Sequence, residues 1–319
     1  MLKVDVPSVA KLNLDLRVLY KRPDGYHELR TIFQTITLED RLSVEFERAR
    51  RTRIELESSV EIPDNLVLRA AHAVLADLKM NATIRFRLRK RIPMGAGLGG
   101  GSSNAAAVLI ALPALAGKRM HRTDLIPLAE NLGSDVPFFL FGGTALAVGR
   151  GTELYPLPDQ PARCILVLST GIHVSTAEAY RALGRSSQME AGPSVTNALT
   201  SPAESRILGE FQKIVWTLGG SSLGRLPLKN DFERPVFEVH PELASGIRKL
   251  RRLGAAPTLM SGSGSALFGV FSSADQAAAA SAKFPDGTAR VSRFLSRRQY
   301  EALWRRALGP AAEASCFSQ

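Results

Sequence analysis

From Val9 to Leu19 the chain alternates apolar and polar positions, with Leu12, Leu14, Leu16 and Val18 on one side and Lys11, Asn13, Asp15 and Arg17 on the other. A period of two is that of a β-strand buried on one face. The pattern therefore predicts a strand with its charged side in water. Arg22 to His27 (RPDGYH) carries the Pro and Asp-Gly chemistry of a turn, and Glu28–Leu38 and Arg41–Glu47 read as two further strands. In Thr83–Arg91 (TIRFRLRKR), Ile84, Phe86 and Leu88 alternate with Arg85, Arg87 and Arg89. That is a half-buried strand with a solvated basic face, or a surface for polyanions. Short apolar runs at Arg163–Thr170, Ala256–Met260 and Ala266–Phe271 add three strands.

Helical spacing replaces this alternation over Asn65–Leu78, entered through Asp64 or Asn65 as N-cap, and from about Ser102. The helix over Thr123–Gly133 takes Thr123 as N-cap and Gly133 as its stop. Further helices are predicted at Arg206–Leu218, Glu242–Leu253 and Ser273–Phe284. Near the end, Tyr300, Leu303, Trp304, Ala307 and Leu308 form a stripe with Arg305 and Arg306 off it, the pattern of a helix docked on the body. Pro156–Pro161 (PLPDQP) reads as a linker and divides the chain into residues 1–158 and 159–319, the second ending in an arginine-rich tail. Gly184–Ser205 is polar and turn-rich, a loop or weakly structured insertion. Adjacent strand pairs mixed with helices indicate an α+β fold and not a doubly wound parallel sheet.

Composition narrows the class. With 319 residues, 45% hydrophobic and 22% charged, the chain has the make-up of an ordinary globular protein of two domains or one large one. Its longest apolar run, 105–117, is too short to span a bilayer and contains Pro113. Lys3, Asp5 and Lys11 interrupt any signal-peptide core, and Cys164 and Cys316 are too few for a disulfide framework. A reduced, cytoplasmic protein is expected. The formal net charge of +11 suits nucleic acid, an anionic surface or a polyanionic small substrate.

The stretch Pro93–Val108 (PMGAGLGGGSSNAAAV) carries Gly95, Gly97, Gly99, Gly100 and Gly101, five glycines in seven positions, immediately before a helix. A tight turn needs two. Five let backbone N–H groups converge on an anion at the positive end of the helix dipole. The dinucleotide fingerprint fails, since no Asp or Glu lies between Gly101 and Thr123. Walker A fails because Gly101 stands where its lysine should be, and the protein-kinase H-R-D and D-F-G partners are missing. A basic RNA-binding protein is the competing class, but it gives no reason for the glycines, and no basic motif here is interleaved with aromatics.

These residues resemble the central motif of the GHMP kinases, the superfamily of galactokinase, homoserine kinase and mevalonate kinase. AKLNLDL (10–16), RPDGYHEL (22–29), the glycine loop, GSDVPFFLFGGTALAVGRG (133–151) and MSGSGSALFGVF (260–271) occur in order. Together they are similar to the branch acting on 4-diphosphocytidyl-2-C-methyl-D-erythritol, over about Val4 to Phe294. The Gly-Glu-His that galactokinase and mevalonate kinase show after the first motif is lacking. The insertion at 184–205 and the arginine-rich tail fall outside the pattern.

The resemblance implies a two-domain GHMP kinase fold, an N-terminal ribosomal-protein-S5-like domain followed by an antiparallel sheet with helices. It implies ATP-dependent phosphorylation of the acceptor's 2-hydroxyl in the non-mevalonate route to isoprenoid precursors. ATP and Mg²⁺ are the expected cofactors and the cytidine diphosphate-linked methylerythritol the partner, with no nucleic acid, no membrane, no protein metal-ligand set, and a monomer or homodimer. Pro93, Met94, Gly95, Ala96, Gly97, Leu98, Gly99, Gly100, Gly101, Ser102 and Ser103 are the nucleotide loop. Ser102 and Ser103 read as helix caps or as hydroxyls toward phosphate or hydrated Mg²⁺.

Asp135, which by local pattern is a helix N-cap, becomes the base taking the acceptor proton. Lys11, by pattern on a solvated strand face, becomes the cation that keeps it ionised. Asn13 orients the methylerythritol, while Tyr26, His27 and Tyr180 hold cytosine. Gly262, Ser263 and Gly264 form a second backbone nest near the phosphates, or a simple strand-joining turn.

Overall fold

The computed structural model describes residues 1–184, 202–218 and 223–317. Two very long strands, β1 (Leu2–Lys21) and β2 (His27–Arg48), open the chain as an antiparallel hairpin. Its turn is tied by Arg22 N–H to Tyr26 O at 2.7 Å. The two strands expected at 28–38 and 41–47 are thus one, because the intervening polar Glu39 and Asp40 still pair with Val9 and Ser8 of β1, across a register shift next to Glu39. After β3 (Arg53–Ser58) come α1 (Leu66–Asp77), β4 (Ala82–Arg89), α2 (Gly100–Leu115), α3 (Arg122–Leu132), α4 (Phe138–Phe141), β5 (Thr144–Gly149) and β6 (Glu153–Pro156). The six strands form one sheet, β3-β4-β2-β5-β6 with β1 along β2. Asn65 caps α1, accepting from Val67 N–H at 3.0 Å. The cap of α3 is His121 and not Thr123, because Asp124 accepts the His121 N–H at 2.9 Å and closes the first turn two residues earlier.

The second half contributes β7 (Cys164–Leu168), α5 (Thr176–Ala182), α6 (Pro202–Thr217), α7 (Glu233–Val239), α8 (Pro241–Arg252), β8 (Thr258–Met260), β9 (Leu267–Phe271), α9 (Ala274–Ser281), β10 (Ala289–Arg293) and α10 (Arg297–Leu308). Its strands form a second, antiparallel sheet, β10-β7-β9-β8. Of the expected insertion, 185–201 lies outside the described residues. Pro202–Ser205 already belong to α6, where the polar composition had suggested a loop.

Three apolar layers hold these elements. Val44, Phe46, Ile84 and Phe86 pack under α1 and α2; Leu12, Leu14, Ile165, Val167 and Phe268 fill the space between the sheets; Leu166, Leu168, Leu243 and Leu250 lie beneath α8. The facing of β1 changes between Val6 and Val9: both lie in the first layer, three positions apart, while Ala10, Leu12 and Leu14 face the second. The tail returns to the first layer through Leu295, Tyr300, Trp304, Leu308 and Phe317. It crosses back over the division read near residue 158.

Two polar faces behave differently from one another. On β4, Arg85 pairs with Glu55 at 3.2 Å and Arg87 with Glu57 at 2.9 Å across the parallel β3 ladder. This favours the half-buried strand over a polyanion surface. On β1, Lys11, Asn13, Asp15 and Arg17 are buried, not solvated as a one-faced strand would have them. The chain at 227–231 covers them: Lys229 N–H donates to Asp15 Oδ1 at 2.8 Å, and Arg17 donates to Asp15 at 2.7 Å and to Pro227 O at 3.1 Å. Burial pushes the Asp15 carboxyl above its ordinary value, opposed by Arg17. Among the described residues no helix is long and apolar enough to cross a membrane.

Candidate active site

The glycine loop makes its bends at Gly95, Gly97 and Gly99, all at positive φ, and α2 starts at Gly100, two residues before the expected Ser102. Gly99, in the left-handed region, is the N-cap without any side-chain bond, and Ser103 N–H donates to its carbonyl at 2.8 Å. Ser102 and Ser103 therefore sit inside the first turn and do not cap it. With no capping side chain, the free first-turn N–H groups are left for an anion. Ala96 and Leu98 are buried anchors, Leu98 O accepting Lys11 N–H at 3.0 Å and Ala96 O accepting Ala266 N–H at 3.1 Å. Met94 is exposed.

Against this loop lies Ser261–Ser265. The two backbones approach so closely that a Cβ on Gly97 would stand 2.1 Å from Ser261 O, and one on Gly264 would stand 2.4 Å from the Ala96 carbonyl carbon. Ser261 Oγ donates to Gly97 O at 3.1 Å and accepts Asn13 N–H at 3.3 Å, joining three motifs through one hydroxyl. Asn230 donates to Met260 O and Gly262 O at 2.8 and 2.7 Å, and Glu233 accepts Met260 N–H at 2.8 Å. Burial pushes that Glu233 carboxyl up to about 7. Ser263 Oγ meets Thr176 Oγ1 at 3.0 Å.

Lys11 Nζ stands 3.2 Å from Asp135 Oδ2 and donates to Asn13 Oδ1 at 2.7 Å. Its side chain is 4% exposed and that of Asp135 31%, so the carboxylate is the member open to a ligand. A Cβ on Gly99 would touch Lys11 Cγ at 3.1 Å, which sets this pair against the glycine loop. Asp135 is not a cap: α4 begins at Phe138 with Pro137 before it. A carboxylate held beside an ammonium at the foot of an anion cradle has the parts to take a proton and offset charge there.

Tyr180 stacks on His27 with ring centroids 4.5 Å apart and meets Phe232 edge-on at 4.8 Å. Burial, then the charge of Asp135, pushes its phenol up to about 12, so Tyr180 stays a hydrogen-bond donor at neutral pH. Tyr26 stands apart, half exposed, with the Arg150 guanidinium 4.7 Å from its ring centre.

Three contributors escaped the motif reading. Lys90 pairs with the buried Asp40, donates to Asn104 Oδ1 at 3.0 Å, and lies 3.1 Å from where a Gly100 Cβ would be. Its alternating strand pattern gave no reason to single it out. His173 Nδ1 lies 3.1 Å from a Gly95 Cβ position. Ser261 was legible only as part of a small-residue loop. No group of three or more His, Cys, Asp or Glu side chains suited to a metal occurs among the described residues.

Residues 65–143 match the family of GHMP kinases N terminal domain and 210–287 that of GHMP kinases C terminal. The chain is 50% identical over 301 residues to 4-diphosphocytidyl-2-C-methyl-D-erythritol kinase of Solibacter usitatus, covering 94% of this chain and 92% of that protein. It is 39% identical over 269 residues to the enzyme of that name from Thermotoga maritima, covering 84% and 92%. A crystal structure of 4-(cytidine 5'-diphospho)-2C-methyl-D-erythritol kinase superposes with TM-score 0.72 at 36% identity, over 91% of this chain and 98% of that one. Homoserine kinase from Cytophaga hutchinsonii, at 20% identity and TM-score 0.69 over 92% and 95%, shares the fold.

Proposed function

Since the chain belongs to the 4-diphosphocytidyl-2-C-methyl-D-erythritol kinase family of the GHMP kinases, we propose that it transfers the terminal phosphoryl group of ATP to the 2-hydroxyl of that acceptor. The observation that carries the site assignment is the Lys11–Asp135 pair at 3.2 Å, packed beside the glycine loop. Phosphoryl transfer asks a protein mainly for positioning and charge stabilisation. Gly95–Ser103 cradles the phosphates with backbone N–H groups. Asp135 accepts the hydroxyl proton as the oxygen attacks, and Lys11, 3.2 Å from the carboxylate, offsets charge on the reacting oxygen. Asn13 orients the methylerythritol. Mg²⁺, when bound, neutralises phosphate charge.

The stacked His27–Tyr180 pair supports a cytosine site in which the base replaces or extends the stack. Gly262, Ser263 and Gly264, locked to Gly97, keep the cradle in shape. The test is ADP release by the purified protein with Mg-ATP and the cytidine-linked acceptor, beside homoserine and mevalonate as alternatives. Turnover with the cytidine compound alone is expected; no ADP release with it sinks the reading. Tyr180→Ala should raise the KM for that acceptor about tenfold, since a base stacked on an aromatic is worth about 1–3 kcal/mol, and leave the KM for ATP unchanged. Equal changes in both KM values would remove Tyr180 from the cytosine site.

A further inference from the structure

Asn13 can hold Lys11 only if its amide is turned with the carbonyl oxygen toward the ammonium. Nothing about Asn13 itself decides this, because the two ends of an amide have nearly the same shape and opposite polarity. The decision comes from β2. Thr31, 1% exposed, places Oγ1 2.7 Å from Asn13 Nδ2 and 2.7 Å from the carbonyl oxygen of Asp15. A carbonyl oxygen only accepts, so the Thr31 proton goes to Asp15 O and its lone pair is what faces Asn13. The Asn13 NH₂ must then point at Thr31 and Oδ1 at Lys11 Nζ, 2.7 Å away. A flipped amide would set donor against ammonium and leave a buried acceptor unpaired, which costs about 1–3 kcal/mol.

The backbone here is irregular in a way that serves this chain of bonds. The β1–β2 register shifts between Asn13 and Asp15, leaving Leu14 without a partner in the ladder. The run Asp15 O, Thr31, Asn13, Lys11, Asp135 is a directional series of hydrogen bonds ending in an ion pair, buried until its last member. We propose that Thr31 is a positioning residue for phosphoryl transfer, its hydroxyl setting the polarity of Asn13 and through it the seat of Lys11 against Asp135. This rests on the roles given above to Lys11 and Asp135. Thr31 touches no substrate, and no motif singles it out.

The test compares full-length Thr31→Val and Thr31→Ser with the unaltered protein. The charged group facing Asp135 is Lys11 at 3.2 Å, with the neutral Tyr180 phenol nearby, so a displaced Lys11 offsets less of the charge that develops on the reacting oxygen. Thr31→Val should lower kcat about tenfold with the KM for ATP within twofold, the size expected for one buried hydrogen bond. Thr31→Ser should return kcat toward normal. In an Asn13→Ala background Thr31→Val should add less than about a twofold effect, because coupled residues are not additive.

A folded Thr31→Val with kcat within twofold of normal, a kcat loss matched by an equal rise in the KM for ATP, or full additivity with Asn13→Ala would each overturn the proposal. Should the valine variant not fold, Thr31→Ala against Thr31→Ser isolates the same hydroxyl. Asp135→Asn run alongside separates the two readings. If it keeps its turnover the catalytic assignment fails; if it is inactive while Thr31→Val is normal, only the role of Thr31 fails.

Discussion

Asp135→Asn is expected to turn over about 10²–10⁴ times more slowly than the unaltered protein while binding ATP with the same affinity, the range assigned to a general base. That is a loss of about 3–5 kcal/mol of transition-state stabilisation. The amide keeps the size of the carboxylate and an oxygen for Lys11, now 3.2 Å from Asp135 Oδ2. What it loses is the ability to accept the acceptor's proton. The proposed nucleotide cradle, Gly95–Ser103 with Ser261–Ser265, is tied by hydrogen bonds to Lys11 N–H, Asn13 N–H and Asn230, not to Asp135. Calorimetric ATP affinity beside steady-state kcat makes the check. Turnover close to normal, or a parallel loss of ATP affinity, would remove Asp135 from the chemistry.

Gly97→Ala should be the most damaging single-methyl change in the loop. Its Cβ would lie 2.1 Å from Ser261 O, a backbone atom that cannot swing away as a side chain can, and the residue sits at φ +78°. A left-handed residue with a side chain costs about 1–2 kcal/mol and overpacking about 1–3 kcal/mol. The two loops must therefore part. We expect kcat/KM for ATP to fall about a hundredfold or more, which corresponds to roughly 3 kcal/mol, with a lowered melting temperature. Gly101→Ala is the contrast: its nearest neighbour would be Leu66 Cδ1 at 3.7 Å, an ordinary contact, and it lies in the first turn of α2. Its melting temperature should hold, so any loss of ATP affinity there reports the approach of the ligand to the backbone. Gly97→Ala with normal ATP kinetics would mean that the two loops do not need this contact.

The helices and strands with a clear period were readable from the residues: β4, α1, α8 and α10 fall where alternation or helical spacing placed them, to within a few residues, while β1 covers the expected Val9–Leu19 but begins at Leu2. Ends were read less well. Thr123 looked like a cap because its side chain is right for one, but Asp124 and His121 close the turn first. Short strands such as β3 and β6 carry too few residues for a period, and β3 is defined by its parallel ladder with β4, along which Glu55 and Glu57 meet Arg85 and Arg87.

Local pattern misjudged the site itself wherever the neighbours were distant in sequence. Lys11 and Asn13 alternate with leucines as solvated residues do, yet they are buried, since the face they occupy is covered by the glycine loop and by residues 227–231. Asp135 before Val-Pro had the form of a cap, and it faces a lysine 124 positions earlier. The resemblance to a family supplied the pairing; periodicity could not, because a period describes only what one element does along its own axis.

The residues alone dictated an α+β chain, a glycine loop leading into a helix, and an anion site without the Walker lysine. These follow from backbone freedom and hydrophobic spacing, which act over a few neighbouring residues. Only the folded molecule divided the five glycines by cause: Gly95, Gly97 and Gly99 take backbone angles other residues resist, whereas Gly100 and Gly101 are helical. It also made Ser261 a link between three motifs, brought Lys90 under the helix start, and turned the Asn13 amide through Thr31. Such contacts depend on which surfaces meet when two sheets and a returning chain close on one another, and that geometry is set by the packing of the whole molecule.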